Sequence, residues 1–305
     1  MEELGDILRR LEPSLGPLSG EPAPLDGGIT NRNFRATLGD TDYVIRQPGK
    51  DTGLLGIDRG GERLATEAAA ELGIAPAVAA ALEDCLVTRF VACRPVRRQD
   101  LLEGVEEIAR ALRSFHDSGT RLPTSFRVPD LLEAYAEIVR GRGGRLPGAY
   151  SEAVFAAARI AAALPLAVAC PCHNDLLPGN IIRVSSDGSM MIVDWEYAGM
   201  GDPRFDLGNL SVNNGFDEEM DERLLSAYHG EPPSDRRRAA LRLMQVLSDA
   251  REAAWGVVQA TVSQLDFDFD GYAAEHFERL GATVAGPYFQ EWLVIAGGEE
   301  SSQTA

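Results

Sequence analysis

Three side chains with types and spacing suited to chemistry fall in a short part of this 305-residue chain. Asp175 and Asn180 lie in "CHNDLLPGNII" (172–182), and Asp194 heads "DWEY" (194–197). The segments 181–184 and 190–194 flank Ser-Ser-Asp-Gly-Ser, a favourable turn sequence. An antiparallel hairpin is therefore expected, with the start of its first strand beside the end of its second. Asn180 and Asp194 would then face one cleft, with Asp175 on the loop leading in. Two hard oxygen ligands and a free carboxylate suit magnesium-assisted phosphoryl transfer. Mg²⁺ needs only one or two protein oxygens when phosphates and water complete its shell. The third acid can orient an acceptor hydroxyl and take its proton.

The elements that must hold these residues divide the chain near residue 92. Before it, a helix over 2–15 precedes a Pro/Gly-rich connector, GPLSGEPAP. Alternation over 32–38 puts Phe34, Ala36 and Leu38 on one face, Gly39-Asp40 turns the chain, and 43–46 returns as a second hairpin strand. Residues 62–72 read as a helix with Leu64, Ala68 and Leu72 on its apolar face, and 85–91 as a buried strand. Beyond residue 92, Asp100 can cap a helix carrying Leu101, Val105, Ile108, Leu112 and Phe115 at helical spacing. Further helices are expected at 130–140, 152–163, 217–229, 235–264 and 272–281, with a strand-rich island at 166–194. The layout is α+β, with a small β-rich N-lobe (1–91) and a larger, mainly helical C-lobe (92–305).

Composition bounds the function. A hydrophobic share of 45% with 25% charged residues is that of a folded globular protein. The net charge of −18, from 29 basic and 47 acidic residues, opposes nucleic-acid binding, which relies on neutralising phosphates. It accommodates a small cationic substrate. The N-terminus lacks the apolar core of a signal peptide, and Arg159 and Pro165 interrupt the most apolar stretch, 153–172, so no membrane span is expected. A cytoplasmic location is expected from these missing signals. Four cysteines make no disulfide framework. The Cys170-Pro171-Cys172-His173 run has no second Cys pair suitably spaced for zinc, and buried thiols are expected.

The pattern His173-x-Asp175-x(4)-Asn180, followed by Asp194, resembles the catalytic and metal-binding loops of protein-kinase-like phosphotransferases. "DWEYAGMGDPRFDLGNL" and "WGVVQATVSQLDFDFDGYAAEHF" are similar to the metal loop and long helix of choline/ethanolamine kinases, so the resemblance runs from about residue 25 to about 280. It implies a two-lobed kinase fold using ATP and Mg²⁺. Asp175 would be the base, and Asn180, Asp194 and Glu196 the metal-site residues. His173 would support its loop, and Asp206 would brace it. "LDGGITNRNF" would cover the phosphates through Gly27, Gly28, Thr30 and Asn31, although it lacks G-x-G-x-x-G and also reads as a plain turn. Where protein kinases place a strand lysine, this chain has Arg46, whose planar fork suits phosphate oxygens, with Glu62 to orient it. The chain's single lysine, Lys50, ranks second for that role.

Tyr197, Trp255 and Tyr272 fall where the resemblance places the aromatic wall of the amine pocket. Cation–π attraction there is worth about 0.5–2 kcal/mol per contact. Eukaryotic choline kinases typically show W-x-x-W-x-x-x-Q on the long helix; here the first tryptophan position is Glu252. A carboxylate suits a primary ammonium, which can donate to it, at least as well as choline. The reading is a kinase of a small cationic amino alcohol. Aminoglycoside, thiamine or sugar kinases share the scaffold, and a nucleotide-binding pseudokinase is the reading outside enzymes.

Overall fold

The alternation over 32–38 and the turn at Gly39 form the hairpin that the sequence predicts, and that hairpin becomes the middle of a sheet. The computed structural model describes residues 2–25, 31–49, 52–165 and 168–298. Gly27, Gly28, Thr30 and Lys50 lie outside them. In chain order the elements are α1 (Glu2–Leu15), β1 (Leu18–Leu25), β2 (Arg32–Leu38), β3 (Thr41–Gln47), α2 (Arg59–Glu71), β4 (Val78–Leu82), β5 (Cys85–Arg89) and β6 (Cys93–Pro95). Then come α3 (Arg98–His116), α4 (Val128–Gly141), α5 (Ala149–Ala163), β7 (Cys170–Cys172), β8 (Ile181–Val184), β9 (Met190–Ile192) and β10 (Gly199–Gly201). The chain closes with α6 (Pro203–Asn213), α7 (Glu218–His229), α8 (Asp235–Val262), α9 (Phe269–Ala285) and α10 (Phe289–Gly297).

Two compact units result. The first takes residues 1–103, 122–124 and 178–198, and the second the remainder.

In the first unit an antiparallel sheet runs β1-β2-β3-β5-β4. Leu4, Ile7, Leu8 and Leu11 of α1, at helical spacing, pack on Ala36, Leu38, Tyr43, Ile45, Cys85 and Val87. Asp58 caps α2 by accepting from Gly61 N at 2.6 Å. The β8–β9 hairpin forms at the expected register, Ile181 opposite Ile192, and β6 adds a third strand.

Four expectations for this unit are corrected. The GPLSGEPAP connector is largely the edge strand β1, paired with β2 across an irregularity between Ser19 and Ala23. An edge strand buries little and tolerates proline, so its sequence carries no alternation. Leu64 and Leu72 are exposed, and α2 instead buries Gly61, Glu62, Ala65, Thr66 and Ala69. Its small residues, rather than its leucines, face inward. Asp100 lies inside the first turn of α3, where it accepts from Arg97 N at 2.8 Å and from both terminal nitrogens of Arg94. Cys93 is exposed, unlike buried Cys85 and Cys172.

The second unit is built round the 28-residue helix α8. Of the apolar positions expected on α3, Val105, Ile108, Leu112 and Phe115 are buried in this unit and Leu101 in the first. A Cβ on Gly208 of α6 would stand 2.5 Å from Met244 Cβ, so only glycine permits this approach of α6 to α8. At Gly256 the approach of α9 is also tight, since a Cβ would meet Ala273 Cβ at 3.0 Å. Helix α6 has no counterpart in the sequence reading, because residues 205–211 are all buried and no amphipathic period survives. Among the described residues no helix is long and apolar enough to cross a membrane.

Candidate active site

In the first unit the site begins at Arg46 in β3, flanked by Asn33 in β2 and Leu86 in β5. Its guanidinium donates to Asp194 Oδ1 and lies 3.4 Å from Glu62 Oε1 and 3.5 Å from Glu196 Oε2. Burial opposes the Arg46 charge, but Asp194, Glu62 and Glu196 outweigh that cost and raise its pKa above the ordinary arginine value. Arg59, three residues before Glu62 on α2, donates to Glu62 Oε2 at 2.7 Å and to Glu196 Oε2 at 3.1 Å. Asn31 Nδ2 donates to that same Glu196 oxygen at 2.9 Å.

Sequence reasoning missed Arg59. Its i,i+3 spacing from Glu62 was the available signal.

Asn180 and Asp194 stand at the open end of the β8–β9 hairpin, where Val193 N donates to Asn180 O at 2.9 Å. Asp194 is left-handed (φ 67°, ψ 62°), a costly conformation for a non-glycine residue that redirects its side chain as the strand ends. The donor set fits the group that the sequence implies. Asn180 and Asp194 offer hard oxygens of the kind Mg²⁺ prefers. Arg46 Nε and Glu62 Oε1, both buried and without a hydrogen bond, face each other at 3.4 Å, so Glu62 sets the direction of the guanidinium as an ion-pair partner. Tyr197 belongs to this unit too, buried in the short turn after Asp194.

The second unit holds the loop carrying Asp175. Asp206 Oδ2 accepts from His173 N at 2.8 Å and Oδ1 from Asn174 N at 2.7 Å, while His116 Nε2 lies 2.9 Å from Oδ2. Burial works against the Asp206 charge, but His116 and the amides more than offset it and lower its pKa. Asp175 N donates to His173 Nδ1 at 3.1 Å, and Leu176 N to Asn209 Oδ1 at 2.5 Å. Asn174 takes φ 68° between them. The loop backbone is thus pinned at four successive residues.

The same unit brings together Glu252, Trp255 and Tyr272. Glu252, about 1% exposed, accepts from Tyr272 Oη at 2.8 Å through Oε2 and from Arg251 Nη1 at 2.8 Å through Oε1. That Arg251 nitrogen also donates to Asp175 Oδ1 at 3.0 Å. Burial and the Glu252 carboxylate raise the Tyr272 pKa well above the ordinary phenol value. Trp255 packs edge-on against Tyr272 and Phe269, with ring centres 5.6 and 5.7 Å apart. Arg251 did not figure in the sequence reading. A buried arginine has no local sequence signature.

Comparison with known proteins matches residues 21–242 to the phosphotransferase enzyme family. A crystal structure of a choline/ethanolamine kinase family protein from Mesorhizobium loti superposes with TM-score 0.80 at 30% identity, covering 96% of this chain and 99% of that one. The probable choline kinase 1 of Arabidopsis thaliana is 24% identical, covering 91% of this chain and 92% of its own length. The probable ethanolamine kinase A of Dictyostelium discoideum is 33% identical over 129 residues, a match spanning only 37% of that relative. The spectinomycin phosphotransferase structure, at 15% identity and TM-score 0.58, shares the fold. The expected α+β, protein-kinase-like architecture is the one found.

Proposed function

This chain belongs to the phosphotransferase enzyme family, in its choline/ethanolamine kinase group, and from that premise we propose that it phosphorylates a primary amino alcohol of the ethanolamine kind. It is an alcohol-accepting phosphotransferase, and it uses a nucleotide. In the proposed reading the nucleotide is ATP. Arg46, oriented by Glu62, binds its phosphate oxygens. Bound at Asn180 and Asp194, Mg²⁺ would supply neutralisation of the phosphate charge. Asp175 accepts the proton of the acceptor hydroxyl. The remaining work is positioning, since phosphoryl transfer leaves little covalent chemistry to the protein.

The observation that carries the choice of substrate is that Asp175 and Glu252 converge on one guanidinium nitrogen. The proposed base and the proposed ammonium acceptor are then neighbours, as they must be for an alcohol with its amine two carbons away. Two carboxylates and one guanidinium leave one negative charge, which a single ammonium balances. A primary ammonium can donate hydrogen bonds to Glu252, whereas choline's quaternary nitrogen cannot.

The test is ADP release with Mg·ATP against ethanolamine, choline, thiamine and an aminoglycoside, beside an Asp175→Ala control. Turnover highest on ethanolamine and lost in the control is the expected result. Preference for choline would overturn the Glu252 argument. Turnover on the aminoglycoside alone would discard the amine pocket while keeping the phosphotransferase.

A further inference from the structure

We propose that Arg251 is a positioning residue for this reaction, holding the base and the ammonium acceptor at a fixed separation through one shared nitrogen. The inference rests on the roles proposed above for Asp175 and Glu252. Arg251 is about 2% exposed on α8, and its Nη1 donates to Asp175 Oδ1 at 3.0 Å and to Glu252 Oε1 at 2.8 Å. The division of labour round Asp175 is clear. Helix α6 holds the loop's backbone, through Asp206 to Asn174 N and Asn209 to Leu176 N. Helix α8 holds the Asp175 side chain, through Arg251.

Asn209 ties the two supports together. Its Nδ2 reaches Ser248 Oγ at 2.9 Å and Glu252 Oε1 at 3.4 Å, both on α8. Asp175 and Glu252 are therefore linked both through Arg251 and, by way of the loop backbone, through Asn209.

The arrangement has an electrostatic reason. Two buried carboxylates that share one donor nitrogen repel each other, and the guanidinium between them offsets that repulsion and keeps both oxygens turned toward it. Among the described residues, the other groups facing the cluster do not relieve this repulsion. Tyr135 on α4, pushed up to about 12 by burial, and Tyr272 on α9 stay protonated near neutral pH. His173 Nδ1 is occupied by the Asp175 amide. The compensating cation is Arg251.

Steady-state kinetics on ethanolamine with Mg·ATP test this in Arg251→Met, Arg251→Lys, Glu252→Gln and the Arg251→Met/Glu252→Gln double variant. Each is normalised to folded enzyme by circular dichroism. Arg251→Met is expected to lower kcat about 10²-fold with the ATP KM within about twofold, the scale of a small misplacement of a reacting group. Lysine keeps the charge but loses the guanidinium geometry, and is expected to recover about tenfold of that loss. The double variant at saturating amine is expected to exceed Arg251→Met in kcat by about tenfold, because the unscreened second carboxylate is gone.

Wild-type kcat per folded molecule in Arg251→Met, or strictly multiplicative losses in the double variant, would overturn the proposal. If Arg251→Met does not fold, Arg251→Lys decides alone, with wild-type kcat again the overturning result. Turnover surviving in Asp175→Ala would instead overturn the base assignment beneath it.

Discussion

The Tyr272 hydroxyl donates to Glu252 Oε2 at 2.8 Å, so the aromatic residue and the acid that replaces a second aromatic act as one polar unit. The phenol fixes one oxygen of the carboxylate and Arg251 the other. Glu252→Gln keeps the shape and removes the charge. It is expected to lower kcat/KM for ethanolamine by about 30–150-fold, corresponding to about 2–3 kcal/mol for a hydrogen-bonded charge. Tyr272→Phe removes only the orienting hydroxyl and is expected to cost about fivefold, near 1 kcal/mol. Competition between ethanolamine and choline in each variant measures the change in specificity; the Glu252→Gln loss should fall mainly on ethanolamine.

Arg46 is held by the carboxylate proposed to bind metal, Asp194, as well as by Glu62. Arg46→Ala is expected to weaken Mg·ATP about 10²-fold, the scale of truncating one partner of a buried charge pair. The same change frees Asp194, so Mg²⁺ without nucleotide should bind more tightly than to the wild type. Isothermal titration of each ligand separates the two effects, which run in opposite directions.

Asp206 accepts two backbone amides and faces His116, and its pKa is lowered by that company. A group with a lowered folded pKa contributes stability that is present above its unfolded value, near 3.9, and lost as pH falls through the folded value. Asp206→Asn offers one acceptor and one donor where donors already point. It is expected to cost about 3–5 kcal/mol at pH 7. Urea unfolding between pH 2 and 7 should also show a shallower acid limb in the variant than in the wild type.

Gly208→Ala places a methyl group 2.5 Å from Met244 Cβ and 2.6 Å from the Met244 backbone carbon, so α6 and α8 must move apart to admit it. The expected loss is about 1–3 kcal/mol, as for other overpacked cores. Because α6 carries Asp206 and Asn209, kcat should fall beyond what the change in Tm explains. Thermal unfolding and kinetics measured on one preparation check both.

The hairpin around Asn180 and Asp194 was legible because everything that makes it is local. Apolar strands, a five-residue polar turn and the flanking acid and amide all lie within about fifteen residues. The α3 face of Leu101, Val105, Ile108, Leu112 and Phe115 was legible for a similar reason, since one side of that helix is buried and the period shows. Helix α6 and strand β1 were not. One is buried all round and the other is an exposed edge, and in neither does burial alternate with the geometry of the element.

By itself the sequence determined which acids, amides and cations the site has to work with, and the turns that present them, because turn chemistry and helical or strand periodicity are written in neighbouring residues. Only the tertiary structure decided the partnerships. Arg251 meets Asp175 across 76 residues, His116 meets Asp206 across 90, and Arg46 meets Asp194 across 148. Each pairing exists because burial forces a charge to find its opposite among the groups that packing brings near. No local pattern encodes which group that will be.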